Sequence, residues 1–136
     1  KALVKIQEYI DRYPDSKNLE EANELTRVLR NKLEQKAFEN AKQFNTISDY
    51  KASIVALDNF IVDFPGTPYK EEALYIKLDS AYLLAINSVQ NKMEERLNNA
   101  KVAYENLMKL KNDTKYKEKA DKMLASIDKE LQQFSK

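Results

Sequence analysis

The sequence predicts an all-α protein, a stack of three antiparallel helix hairpins that together contain six helices. With one glycine and three prolines in 136 residues, little of the chain is suited to turns, so the helices must be few and long. Lys, Glu, Asn, Ala and Leu dominate, and β-branched residues never alternate with polar ones as they do in strands. The residues that favour turns fall into three stretches with a common pattern, which indicates an internal repeat.

The central turn, residues 64–73, holds the glycine and two of the prolines. Pro65 cannot continue the helix before it, and Gly66 is expected to take a left-handed conformation. Thr67 is expected to cap the following helix, with Pro68 at its first position. The stretch therefore predicts a helix end, a tight turn and a helix start.

Residues 13–22 and 111–120 repeat this arrangement. Three sets of positions align across the stretches: Ser16, Thr67 and Thr114; Asn18, Tyr69 and Tyr116; and Ala22, Ala73 and Ala120. The turns are farther apart than the roughly 34 residues of an ordinary tetratricopeptide unit, so longer helices are expected. We predict a single tetratricopeptide-like domain, a right-handed superhelix, over residues 1–136. Its repeats cover about 1–44, 48–87 and 92–134.

Apolar residues at helical spacing place the six helices in order. The predicted helices cover about residues 2–12, 17–44, 49–63, 68–87, 92–110 and 115–134.

Each predicted helix has a distinct distribution of apolar residues. The first carries Leu3 and Val4 outside its apolar stripe, so we expect further repeats upstream in a longer chain. The second has a stripe at four-residue spacing that includes Leu25 and Leu33, and Ser48 is expected to cap the helix that follows. The third and fourth are apolar around most of their circumference, which predicts burial in the middle of the stack. The sixth has a polar outer face, which is typical of a terminal cap.

Composition and charge argue against several functions. The 23 basic and 22 acidic residues are mixed along the chain, so there is no basic patch typical of nucleic-acid binding. No stretch approaches the roughly 20 apolar residues that cross a bilayer. The chain lacks His and Cys, the commonest general base, nucleophile and transition-metal ligands.

Adjacent glutamates do not compensate for that lack. Neighbouring side chains on a helix point about 100° apart, so adjacent glutamates do not form a shared carboxylate site. The adjacent pairs are Glu20-Glu21, Glu71-Glu72 and Glu94-Glu95. We predict a noncatalytic protein with no catalytic residue, cofactor or metal.

The candidate functional residues are protein-binding ones. The polar side of the second helix and the break at residues 45–48 form the predicted partner surface, with Phe38 as an apolar exception on that side. Aromatic residues outside the repeat register are candidates to anchor a partner on a concave surface. The candidates are Arg27, Arg30, Phe38, Asn45, Thr46 and Tyr82.

Several motifs resemble those of a known family. Tyr13-Pro14-Asp15-Ser16 and Asp63-Phe64-Pro65-Gly66-Thr67 are similar to the Tyr-Pro-x-Ser/Thr hairpins of periplasmic tetratricopeptide-like proteins. With the long second helix and Tyr82-Leu83-Leu84-Ala85, the chain most resembles the C-terminal half of the BamD family of outer-membrane assembly lipoproteins. The third turn departs from the pattern, because Lys111-Asn112 replaces the aromatic residue and proline.

The resemblance implies a noncatalytic scaffold of the β-barrel assembly machinery at the periplasmic face of the outer membrane. The intact protein would carry a lipid anchor, its expected contact with the membrane. This chain would be the half that docks to the periplasmic domains of a BamA-type partner, with other assembly subunits as further partners and no nucleic acid. The alternatives are a periplasmic adaptor of the Tol-Pal-associated type and a generic repeat protein that binds a peptide in a concave groove.

Overall fold

A computed structural model describes residues 4–5, 7–8 and 19–135, which are almost entirely helical. Residues 19–135 form five α-helices and a final 3-10 helix: α1 (Leu19–Thr46), α2 (Tyr50–Asp63), α3 (Lys70–Ile86), α4 (Gln90–Leu110), α5 (Lys117–Leu131) and the 3-10 helix Gln132–Phe134. The predicted all-α class is confirmed, with five helices in this range rather than six in total. The predicted helix at 2–12 and turn at 13–18 lie mostly outside the described residues.

The chain divides into two compact units, residues 1–37 and 38–136. The second unit contains α2 to α5 and the last residues of α1. Within it, α3 packs against both α2 and α4, and α5 packs against α4. Leucines and one isoleucine from these helices are fully buried: Leu57, Leu78, Leu97, Leu107 and Ile127.

Two apolar clusters lie along the packed faces of α3, α4 and α5. One joins Leu74 and Leu78 to Leu107 and Ala120, next to the turns that precede α3 and α5. The other groups its members nearer the opposite helix ends: Ala81, Ala85, Leu97, Ala100 and Ile127. The α3 helix contributes to both clusters and contacts helices on two sides. This burial explains why apolar residues surround most of its circumference.

The same prediction of burial on all sides fails for α2. Leu57 and Phe60 are buried, but Val55 and Val62 are 60% and 76% exposed. Only one side of α2 therefore packs against its neighbours within this unit.

The repeated turn is confirmed in the two copies that the structure describes. The Tyr69 N–H donates to Thr67 Oγ1 at 3.1 Å, and the Tyr116 N–H donates to Thr114 Oγ1 at 3.3 Å. Both threonines are buried, and so are Ala73 and Ala120, each six residues later: each pair of repeated positions has the same environment. Each threonine hydroxyl satisfies a backbone donor just before the helix, but the predicted capping role of Thr67 is not met, because the N-caps are Tyr69 and Tyr116.

Two details of the central turn differ from the prediction. No glycine has a positive φ in the described residues, so Gly66 is not left-handed. Pro68 precedes the helix instead of starting it, because Tyr69 is the N-cap of α3.

The left-handed residue is Ser48, with φ 65°. Its N–H donates to the Asn45 carbonyl at 3.0 Å, and the Asp49 N–H donates to the Phe44 carbonyl at 2.9 Å. These two bonds form a Schellman motif, in which the left-handed position is usually glycine. Ser48 was predicted to cap α2, but Asp49 is the N-cap and its side chain accepts from the Ala52 N–H.

Candidate partner-binding surfaces

The candidate Asn45 is bonded to α3 near the end of α1. Its amide nitrogen donates to Asp79 Oδ2 at 3.0 Å and to Ser80 Oγ at 2.9 Å. Ser80 Oγ lies 2.7 Å from Ser53 Oγ on α2, and both serines are fully buried. Asn45 therefore joins the end of α1 to α2 and α3 through a buried polar network, and it fixes the turn that follows.

Phe38 does not lie on an outer polar side of α1. It is 3% exposed, its ring stacks on Tyr69 at a centroid distance of 4.8 Å, and Phe60 lies 5.4 Å away. The prediction treated Phe38 as an exception to a stripe of residues four apart. The ring instead occupies the aromatic core at the start of the second unit, so its placement on a partner surface was wrong.

Lys42 covers the outer side of that aromatic core. Its ammonium lies 5.6 Å from the centre of the Phe38 ring and 2.8 Å from Glu72 Oε2. The hydrogen bond to Glu72 raises the pKa of Lys42. The cation thus remains charged while its stem shields the ring from solvent.

Tyr82 also has an internal partner. Its hydroxyl donates to Ser126 Oγ on α5 at 2.8 Å, and its ring is packed against the apolar cluster of Leu97 and Ile127. The side chain is half-buried. Its polar atom therefore connects α3 to α5 and is already satisfied.

The remaining candidates are exposed. Arg27 and Arg30 lie on α1 within the first unit, where the Arg27 guanidinium is 2.5 Å from Glu24 Oε1 and lowers the pKa of that carboxyl. Thr46 lies at the end of α1 in the second unit, with its hydroxyl donating to the Lys42 carbonyl. These three residues have side chains accessible to a partner.

Ile47 lies in the break at residues 45–48 that the sequence predicted as part of the partner surface, although it was not among the named candidates. This residue is 59% exposed in the turn between α1 and α2, directly before the left-handed Ser48. The Schellman bonds on one side and the Asn45 network on the other hold the turn in place. The sequence carried one signal for this residue: a branched apolar side chain in an otherwise polar break between two helices.

The paired glutamates at the start of α3 make separate contacts. Glu72 pairs with Lys42 of α1, whereas Glu71 accepts a short hydrogen bond from the Thr114 hydroxyl in the next turn. The bond from Thr114 lowers the pKa of Glu71. The two carboxylates thus connect successive hairpins and do not face a common substrate.

Neither a metal-binding cluster nor a membrane span is found in the described part of the chain. Across residues 4–5, 7–8 and 19–135, no three acidic side chains are grouped so that they could hold a metal ion. None of the helices formed by those residues is long and apolar enough to cross a membrane.

Comparison with known proteins gives one family. The family model YfiO, described as an outer membrane lipoprotein, matches residues 34–134. The match covers the end of α1 and all of α2 to α5, about three quarters of the chain. A search of curated proteins gave no significant match.

Proposed function

The chain belongs to the YfiO family of outer membrane lipoproteins, and from that premise we propose that it is a noncatalytic scaffold of the outer-membrane β-barrel assembly machinery. In this proposal it docks to the periplasmic domains of a BamA-type partner. The intact protein is held by a lipid anchor at the periplasmic face of the outer membrane. The family match carries the proposal, since the family is implicated in outer-membrane assembly.

The repeated hairpins support a scaffold role. Thr67 and Thr114 accept the same hydrogen bond just before their helices, and Glu71 and Glu72 connect the central hairpin to its two neighbours. Repeats that contact their neighbours in this way build extended surfaces for partners. The proposed architecture of the whole chain is a tetratricopeptide-like right-handed superhelix of three hairpins, the first of which includes the predicted helix at 2–12.

We assign partner binding in the second unit to the turn at residues 46–48. Ile47 projects from a turn whose backbone is held by internal bonds, so binding would order few additional groups. Thr46 lies next to it and is also exposed. In the first unit, the exposed cations Arg27 and Arg30 are a separate candidate contact.

The test measures binding of the intact protein to the purified periplasmic domains of its cognate BamA-type protein. Ile47→Asp should weaken binding about tenfold or more, because it places a charge at the centre of an apolar contact. Val89→Asp is the matched control, since Val89 is 65% exposed in the turn before α4. Circular dichroism verifies that both variants are folded.

Two results would count against this function. Absence of binding by the folded intact protein would reject the scaffold role with this partner. Binding that Ile47→Asp leaves intact, but that Arg27→Glu together with Arg30→Glu abolishes, would move the contact to the first unit.

A further inference from the structure

A groove crosses the surface formed by α2, α3 and α4. One part is a cavity of about 300 Å³ lined by Ile54, Leu84 and Val102 among others. A second, shallower depression of about 660 Å³ continues from it, because both are lined by Asp58 and Lys77. From Arg96 to Leu110 the groove follows α4 over 14 residue steps, about 21 Å at 1.5 Å per residue. That length accommodates about six residues of extended peptide.

The charge of the groove differs from that of the chain as a whole. Four cations line it, Lys70, Lys77, Arg96 and Lys109, against the single carboxylate of Asp58. That carboxylate is 2.6 Å from the Lys77 ammonium and is therefore already paired. The lining carries a charge of about +3, whereas the whole chain has a net charge of only +1.

The lips of the groove are aliphatic. Val62 on α2 and Val102 and Leu110 on α4 are 76%, 52% and 43% exposed. No aromatic side chain is among the residues that line either depression. Single-stranded nucleic acids are bound by positively charged grooves with aromatic side chains on which the bases stack, so this lining favours another anionic ligand.

Two amides lie along the same wall. Asn99 and Asn106, seven residues apart on α4, line the first and second depression respectively. An asparagine side chain both donates and accepts hydrogen bonds, as the backbone of an extended peptide requires. Cations, aliphatic lips and amides thus recur along one helix at a spacing that suits a polypeptide.

We propose that this groove binds a peptide segment in which acidic side chains alternate with aliphatic ones. The acidic groups pair with Lys70, Arg96 and Lys109, and the aliphatic groups cover Val102 and its neighbours. Arg96 is held ready for this role, because its guanidinium donates to the neutral Ser88 hydroxyl at 2.7 Å. The site is separate from the turn at 46–48, so it adds a second binding surface to the proposed scaffold.

The probe is a capped, fluorescein-labelled peptide of Glu alternating with Leu and Val, titrated with the whole chain by fluorescence anisotropy. A peptide with Lys in place of Glu and one with Ser in place of Leu and Val are the matched ligands. The acidic aliphatic peptide should bind at least about tenfold more tightly than either. Its affinity should fall as salt is raised, because exposed charge pairs are screened.

Two sets of protein variants locate the site, one that changes charges and one that changes valines. Lys70→Glu and Lys109→Glu should each weaken binding about three- to tenfold. Lys119→Glu makes the same charge change on α5, outside the groove, and should not weaken it. Val102→Ser removes part of a lip and should weaken binding, whereas Val55→Ser changes a similarly exposed valine of α2 that does not line the groove and should not weaken it.

Three other results would each overturn the proposal of peptide binding in the groove. Equal affinity for the acidic and basic peptides would show that the charges do not select the ligand. Equal loss with Lys109→Glu and Lys119→Glu would show that binding depends on net charge and not on the groove. Absence of peptide binding would reject the peptide as occupant of the groove. Binding of anionic phospholipid vesicles, or a dimer of the chain in sedimentation, would then identify a different occupant.

Discussion

Ser48 ends α1 in a conformation that L-residues rarely adopt. Its φ of 65° lies in the left-handed region, where the Cβ atom approaches the following carbonyl. The Schellman bonds from the Ser48 and Asp49 N–H groups hold it there. The two hydrogen bonds satisfy carbonyl groups at the helix end and thereby offset the backbone strain at Ser48.

Replacing Ser48 with glycine should stabilise the fold. The left-handed conformation costs an L-residue about 1–2 kcal/mol, and glycine removes this cost. Glycine also makes the unfolded chain more flexible, which lowers the stability of the fold by about 0.5–1 kcal/mol. We expect a net gain of up to about 1 kcal/mol in the free energy of unfolding, measured by urea denaturation. Ile47→Gly, at the neighbouring residue without a positive φ, should destabilise; a loss with Ser48→Gly would contradict the argument.

Gly66 is the complementary case. It has no positive φ, and a Cβ built on it meets nothing within 4 Å. Gly66→Ala should therefore stabilise by about 0.4–1 kcal/mol, because alanine restricts the unfolded chain without strain in the folded one. The midpoint of urea denaturation should rise with an unchanged slope. A lower midpoint would show that the turn needs glycine after all.

These two residues show where sequence reasoning about turns fails. A lone glycine between two prolines predicts a left-handed turn, and a serine before a helix predicts an N-cap. Both expectations follow residue preferences, but the hydrogen bonds of the surrounding turn decide the conformation. Asp49 caps α2 in place of Ser48 because Ser48 is already required to end α1.

The Tyr104 hydroxyl gives the fold a pH dependence. It donates to Asp121 Oδ1 at 2.5 Å, which raises the pKa of Tyr104 to about 12 from 10.0. Between those values the folded chain keeps a proton that the unfolded chain has lost. This contribution to stability is complete below about pH 10 and is lost as the pH rises towards 12.

Tyr104→Phe should remove that part of the alkaline dependence. The same bond lowers the pKa of Asp121, so its contribution is present above the ordinary Asp pKa and is lost as the pH falls through the lowered value. We expect the difference in unfolding free energy between wild type and variant to be largest near neutral pH and smaller at about pH 11. A difference that stays constant with pH would contradict the assignment.

At the scale of the helix, α1 was predicted with nearly the right extent, but part of the face predicted to be buried is exposed. Its predicted extent agrees with Leu19–Thr46 within about two residues, the usual uncertainty of helix ends. Its predicted stripe has a four-residue spacing and includes Leu25, Leu33 and Ala41, which are eight residues apart. Four residues turn a helix by about 400°, so from Leu25 to Ala41 the stripe rotates by about 160°. Accordingly Ala41 is buried while Leu25 is 50% exposed.

The faces of α2 and α3 give a direct test of side-chain burial. Leu57 is 0% exposed, whereas Leu84 is half-buried at the edge of the groove. Leu57→Ala should cost about 2–5 kcal/mol, because it leaves a cavity in the core. Leu84→Ala should cost roughly half as much or less, since part of its surface is already in contact with water. Equal losses in chemical denaturation would contradict this difference in burial.

For the molecule as a whole, the repeated turns could be predicted from the sequence, whereas the internal contacts of the candidate surface residues could not. Thr67, Thr114, Ala73 and Ala120 align in sequence and share environments in the structure, because equivalent turns impose equivalent packing. The candidate surface residues depended on contacts between distant parts of the chain. Asn45 donates to Asp79 of α3, 34 residues away in sequence, and no local pattern indicates that bond.

The second compact unit should fold without the first. It holds both apolar clusters and the Phe38 aromatic core, and the family match begins at residue 34. We therefore expect a fragment of residues 34–136 to be helical by circular dichroism and to unfold in one cooperative transition.

A fragment of residues 42–136 is the matched control for that prediction. It keeps Asn45 and its buried network but loses Phe38 and Ala41, leaving Tyr69 and Phe60 without the ring they pack against. Loss of a buried phenylalanine side chain costs about 3–5 kcal/mol, so this fragment should unfold at a much lower urea concentration. Equal stability of the two fragments would show that the aromatic core contributes little. A broad, noncooperative transition for residues 34–136 would show that the unit depends on the chain before it.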